Sequence, residues 1–149
     1  MTDVSIAPAQ AADFDVIEAL LDREQLPLAG LRDHPQHMFV ARVGNRIIGC
    51  ASLELYGDAA LLRSVAVDAE FRGGGIGGDL TRAALCLAER RGVSTVYLLT
   101  TTAERFFPRF GFEIVDRADV SPAVRACAEF AHACPASAFV MRAFLTSPT

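Results

Sequence analysis

The chain has 149 residues, with 14 Lys and Arg against 18 Asp and Glu, a formal net charge of −4 and no tryptophan. Without a basic block, this balance argues against a nucleic-acid surface and confines any anion site to a local feature. Hydrophobic residues make up 52%, enough for a single domain over residues 1–149 with its own core; apolar runs stay far below membrane-spanning length and the amino terminus is not basic as a secretory signal would be, so a soluble cytoplasmic protein is expected.

In chain order, residues 4–7 read as a short strand and residues 11–24 as a helix in which Phe14, Ile17, Leu20 and Leu21 recur at helical spacing. That stripe is a core face. Residues 37–43 and 46–56 flank Gly44-Asn45, a two-residue turn signal, which predicts a hairpin. Gly57-Asp58 turns the chain into a strand over 60–67. After a glycine-rich stretch, Ile76, Leu80, Ala83, Ala84 and Leu87 line one face of a helix that stops near Arg90-Arg91-Gly92, where cations and a glycine suit a C-terminus. A strand over 95–99, a short helix over 103–110 and a strand over 112–115 follow. A helix over 122–132 with Ser121 as N-cap and a last strand over 138–144 complete the order. Alternating strands and helices without linker or repeat give an α+β or α/β fold. The apolar last strand, with Phe130, Phe139 and Phe144, serves either a core or a homodimer interface.

Cys50, Cys86, Cys127 and Cys134 lack paired spacing and lie in apolar contexts, which points to buried free thiols instead of disulfides or a metal centre. His34, His37 and His132 have no second ligand at metal spacing, so packing or solvent roles are favoured and no metal is expected. Cys50 as an acyl-carrying nucleophile would need an activating cation or histidine, and Gly49-Cys50-Ala51 supplies neither.

The informative segment runs from Val65 to Leu80, where an apolar strand enters a glycine-rich turn that opens a helix. A helix leaves its first amides unpaired and carries partial positive charge at that end, which suits a diphosphate. Gly73, Gly74, Gly75, Gly77 and Gly78 let the backbone approach such a ligand closely. Gly73-x-Gly75-x-x-Gly78 satisfies the dinucleotide pattern, but the next strand ends in Leu99-Thr100-Thr101 without the carboxylate that would hold a ribose. A nucleotide-triphosphate loop would end in Gly-Lys-Ser/Thr, and here Gly77-Gly78-Asp79 stands instead. A mobile glycine turn is the bland alternative, disfavoured by the strand and helix on either side.

Arg72-Gly73-Gly74-Gly75-Ile76-Gly77 resembles the acetyl-CoA motif of the GNAT N-acetyltransferase superfamily. The order of elements, three antiparallel strands before the loop and strand, helix, strand after it, is what that fold would show. Residues 102–112, ending in Arg109-Phe110-Gly111-Phe112, resemble the superfamily's helix and Gly-Phe turn. The runs over residues 61–67, 97–107 and 134–138 look like the arsenic-resistance branch, related to enzymes acetylating glutamate-like amino acids. The resemblance implies a mixed, mostly antiparallel sheet of about seven strands flanked by helices, and acetyl-CoA as co-substrate.

It further implies direct attack of a small-molecule amine or amino acid on the thioester, with no partner from nucleic acid or membrane. Arg72 to Gly78 would cradle the diphosphate, Val65 and Val67 would pair with the pantetheine arm, and Thr101, Phe106 and Phe107 would lie beside it. A backbone N–H of Val65 or Ala66 would stabilise the thioester oxygen. Glu54, the ionisable residue of an otherwise apolar strand, is the candidate base; its alternative is an ordinary outward-facing charge. The leaving thiolate calls for an acid, yet Phe106 and Phe107 stand where superfamily members carry a tyrosine, which leaves water, Tyr56 or Ser64.

Arg63 sits inside a strand where an unpaired charge is costly, so it meets a carboxylate either of a substrate or of the protein, with Glu54 as the internal partner. One cation and one carboxylate facing a common pocket would suit a zwitterionic amino acid. Arg105 and Arg109 would add contacts to an acidic side chain or to CoA phosphates, or simply be solvated. Two rivals stand beside the amino-acid enzyme: a CoA-sensing module without chemistry, and an acetyltransferase of protein amines.

Overall fold

A period-two alternation along the strands and a 3.6-residue stripe along the helices divide the chain into three layers. The computed structural model describes residues 3–28, 30–33, 37–101, 103–126 and 138–145. Its strands are β1 (Val4–Pro8), β2 (Met38–Val43), β3 (Arg46–Tyr56), β4 (Ala59–Val67), β5 (Thr95–Thr100), β6 (Glu113–Val115) and β7 (Phe139–Phe144). They form one seven-stranded sheet in the order β1-β2-β3-β4-β5-β7-β6. Every neighbouring pair is antiparallel except β4 and β5. This is the mixed, mostly antiparallel sheet expected, and β1, the short strand expected over residues 4–7, pairs with β2 at its edge.

Helix α2 (Ile76–Arg90) covers one face, burying Ile76 and Leu80 against Ile48 and Ala51, and Ala84, Leu87 and Ala88 against Leu53, Leu62, Leu98 and Met141. Helix α1 (Phe14–Arg23) covers the other, where Phe14, Ile17, Leu20 and Leu21 pack on Met38, Val40, Cys50 and Ala66. Beside α1 on that face, Val120 and Val124 of the segment around α3 (Pro122–Arg125) close a separate cluster over Leu61, Tyr97 and Val140. No helix among the described residues is long and apolar enough to cross a membrane.

Several boundaries differ from the sequence expectation for local reasons. Residues Ala11–Asp13 form a 3-10 turn, with the Gln10 N–H donating to Asp13 Oδ2 at 2.8 Å, and the α-helix proper starts at Phe14. The helix expected over 103–110 contracts to a 3-10 turn at Phe107–Phe110, because Pro108 fits only the first turn and Gly111, at φ +91°, ends it. Ser121 occupies the N-cap position of α3, but its side chain makes no capping bond. Phe139 and Phe144 are 38% and 58% exposed rather than core. Expectations placed on His34, Thr102, Cys127, Phe130, His132, residues 134–137 and the helix beyond Arg125 lie outside the described residues.

The depth at which α2 sits is set at Gly49. A Cβ there would meet the Ala66 carbonyl oxygen and Leu80 Cδ1 at 3.0 Å each. Helix and sheet therefore approach as closely as a missing side chain allows. Gly49→Val is expected to cost about 1–3 kcal/mol through overpacking, read as a lowered urea midpoint; an unchanged midpoint would show that the helix is free to shift.

Candidate active site

The site begins with a fault in β4. Cys50 faces Ala66 and Ser52 faces Arg63, so two residues of β4, Ser64 and Val65, stand against Ala51 alone. Ser64 takes φ +59°, a left-handed conformation that costs a non-glycine residue on the order of 1 kcal/mol. The extra residue inverts the alternation: Leu62 and Val65 both pack toward α2, while Ala66 joins the α1 cluster. Cys50 Sγ contacts the Ser64 carbonyl at 3.2 Å, and burial pushes this thiol up to about 12. It stays protonated at neutral pH and is no nucleophile.

Just ahead of this bulge β4 parts from β5. Their ladder ends after three rungs, Ala59↔Thr95, Ala60↔Val96 and Leu61↔Tyr97. A cleft of about 1050 Å³ opens where the strands diverge, with Leu62 to Val67 on one wall and Leu98 to Thr101 on the other. It reaches both faces of the sheet, because it is lined by Gln25, Leu26 and Pro27 after α1 and by Phe106 and Phe110 beside α2.

At the far end of β4 the loop Arg72 to Gly78 also lines the cleft. Gly73 and Gly75 lie at φ +88° and +83°, and a Cβ at either would meet nothing within 4 Å, so their conformation, not crowding, calls for glycine. Gly75 is the N-cap of the 15-residue α2, whose first amides point into this region. Gly77 is under neither constraint: a Cβ there would make ordinary van der Waals contact with Phe106 Cζ and Val67 Cγ2 at 3.6 Å. Cations surround the loop. Arg72 pairs with Glu24, Arg82 stacks over Phe110 at 5.4 Å, and Arg109 stacks over Phe106 at 4.8 Å.

Behind the bulge lies a buried polar cluster. The Arg63 guanidinium donates to Glu54 Oε2 at 3.1 Å, to the Pro27 carbonyl at 2.9 Å and to Ser64 Oγ at 3.2 Å. Glu54 also accepts from the Tyr56 hydroxyl at 2.6 Å. With side-chain exposures of 0% and 3%, Arg63 and Glu54 form a dry pair that joins β3, β4 and the segment after α1.

Residues 34–114 match the model of the acetyltransferase (GNAT) domain. The chain belongs to the GNAT family. An uncharacterized N-acetyltransferase of Chlorobaculum tepidum is 35% identical over 86 residues, which cover 57% of this chain and 55% of that one, so this domain spans about half the length of that curated relative. N-acetylglutamate synthase from Neisseria gonorrhoeae, solved with coenzyme A and N-acetyl-glutamate, superposes with a TM-score of 0.84 at 21% identity over 99% of this chain and 36% of its own. The ribosomal-protein-S18-alanine N-acetyltransferase from Escherichia coli superposes with a TM-score of 0.76 at 18% identity, over 99% and 97%. At such identities the likeness shows the fold.

Within this GNAT domain the cleft brings together the expected cofactor residues Val65, Ala66, Val67, Arg72, Gly73, Gly74, Gly75, Ile76, Gly77, Gly78, Thr101, Phe106 and Phe107, along with Arg63 and Ser64. Glu54 and Tyr56 do not line it. The expectation that Glu54 and Arg63 face one pocket as separate ligands is corrected: each is the other's partner, since a charge buried in the strand layer is stable only when paired. Sequence reading missed Glu24, Gln25, Leu26 and Pro27, which it assigned to the end of a helix and a loop. The available signal was Arg63, whose third donor had to find an oxygen. Because removing one partner strands the other, Arg63→Met and Glu54→Leu should each cost about 3–5 kcal/mol, and the double variant far less than their sum. Additive losses in urea denaturation would refute a coupled pair.

Proposed function

We propose that this chain is an acetyl-CoA-dependent N-acetyltransferase acting on a small carboxylate-bearing amino acid of the glutamate type. The observation that carries this reading is the cleft opened by the Ser64 bulge, which passes between β4 and β5 from the α2 face to the α1 face. Two reactants entering from opposite faces meet at the bulge.

Acetyl-CoA, when bound, supplies an acetyl group activated as a thioester. The residues present fit it. The left-handed Gly73 and Gly75 and the first amides of α2 offer donors to a diphosphate, and Arg82, now paired with Asp79, and Arg109, which donates to the Phe106 carbonyl, add cations beside it for a further phosphate. Beyond Leu61 the β5-facing edge of β4 has no rung to β5, so its backbone is available to pair with an extended amide-bearing arm in the manner of an added strand. Next to the bulge, the amide of Val65 or Ala66 supplies the donor for a developing oxyanion. Phe106 and Phe107 provide an apolar wall and no acid, so the thiolate, a weak base, leaves toward water.

On the acceptor side, Glu54 acts as a positioning residue in this reading. It fixes Arg63, which fixes both the bulge and Pro27, while the proton of the incoming ammonium passes to solvent in the open cleft. The glutamate-type substrate is supported by the runs shared with the arsenic-resistance branch and by the Neisseria gonorrhoeae neighbour solved with N-acetyl-glutamate. The sharper form is an arsenic- or phosphorus-containing glutamate analogue. The missing tyrosine favours one rival, a CoA-binding module without turnover.

Release of free thiol from acetyl-CoA, followed over a panel of amino acids that includes glutamate and its phosphorus analogues, separates these readings. Turnover with acidic amino acids is expected; heat of CoA binding without turnover on any amine would favour the binding module. Gly75→Val, which forces a β-branched residue into φ +83°, should raise the acetyl-CoA KM at least about tenfold by disturbing the cradle, and an unchanged KM would remove the loop from the cofactor site.

A further inference from the structure

A run of glycines has no side chains with which to fix its own position. A Cβ at Gly73 or Gly75 would meet nothing within 4 Å, and one at Gly74 would meet only the Phe71 carbonyl oxygen at 3.8 Å. The loop is therefore placed by whatever holds its two ends. The far end is Ile76, the buried first residue of α2. The near end is the 3-10 turn Ala69–Phe71, which leaves β4 through Asp68 and buries none of its residues. Apolar burial fixes one end; the other needs a different anchor.

Asp68 supplies it. Its N–H donates to the Ile48 carbonyl at 2.7 Å, and its carbonyl accepts from the Phe71 N–H at 2.8 Å. One carboxylate oxygen caps the turn by accepting from the Glu70 N–H at 3.0 Å. The other lies 3.2 Å from a nitrogen of Arg46, the first residue of β3, and 3.6 Å from one of Arg23, in the last turn of α1. Arg46 grips the same turn twice more, reaching Glu70 Oε2 at 3.3 Å and lying over the Phe71 ring at 5.3 Å. Exposed ion pairs contribute little singly, but this network joins three elements at one carboxylate. Arg23, Arg46, Asp68 and Glu70 line a groove of about 710 Å³ and none of them lines the cleft, whereas Phe71, under Arg46, does line it.

We propose that Asp68 is a positioning residue for the cofactor: through Arg46 and Arg23 it fixes the stem of the glycine loop, and with it the amides that hold the diphosphate of acetyl-CoA. The inference rests on the cofactor part of the reading above and is independent of the acceptor. It deepens that reading by making cofactor affinity depend on charges outside the cleft.

Calorimetric titration of the full chain with CoA, well below the melting temperature, reads this affinity without requiring turnover. Asp68→Asn keeps an oxygen to cap Glu70 but removes the charge, and should raise the CoA Kd about fivefold. The direction is diagnostic. CoA is a polyanion, so the bare loss of a nearby negative charge would lower its Kd. Arg46→Met, which keeps an apolar stem, should also raise the Kd about fivefold. The double variant should bind no more weakly than either single one, where independent contributions would multiply to about 25-fold. A Kd that is unchanged or lowered in Asp68→Asn, or losses that multiply in the double variant, overturns this inference alone, whatever the melting temperatures. Wild-type protein that gives no heat with CoA at millimolar concentration overturns the cofactor reading and this inference together.

Discussion

One extra residue in β4 governs the architecture. Parallel strands in the middle of a sheet normally stay paired along their length, and β4 and β5 do so for three rungs. The bulge at Ser64 and Val65 then turns the outer half of β4 aside. The cleft, and the placement of the glycine loop and of the segment after α1 on its walls, follow from that divergence. The loop after Val67 is carried to the mouth by β4, and Thr100 and Thr101 are carried to the opposite wall by β5. The cost of the left-handed Ser64 is offset by bonds that depend on it: Arg63 Nε to its hydroxyl, and the Cys50 thiol against its carbonyl.

Arg63 connects this fault to the rest of the molecule. An arginine with no exposed side-chain surface is tolerable only if its donors are matched, and here each of its three nitrogens reaches an oxygen on a different element or residue. The guanidinium thereby couples the bulge to Glu54 on β3 and to Pro27 after α1. Glu24, three residues earlier, closes the circuit by pairing with Arg72 at the glycine loop. The walls of the cleft are thus held by bonds among their own lining residues and Glu54.

Much of this was legible in the sequence. The strand, glycine loop and helix from Val65 to Leu80 were readable because backbone conformation there depends on residue type: glycine at positive φ and an apolar stripe at helical spacing. The hairpin at Gly44-Asn45 and the stripe Phe14, Ile17, Leu20 and Leu21 were readable for the same reason. The bulge was not. Ser64 is no glycine, and a left-handed serine inside Leu62-Arg63-Ser64-Val65 looks like ordinary alternation until the register to β3 is known. The Arg63–Glu54 pair was foreseeable as one of two outcomes, and only the packing of β3 on β4 could decide between them.

The three-rung seam between β4 and β5 has a wider consequence. The sheet is two panels, β1 to β4 and β5 to β7 with β6, joined by a short stretch of ladder and by α2 lying across both. A molecule with an amide-bearing backbone that threaded between them would add cross-strand bonds that the panels do not make to each other beyond Leu61. Anything that binds only the folded form stabilises it by mass action, so such a molecule would act as a clasp between the two panels.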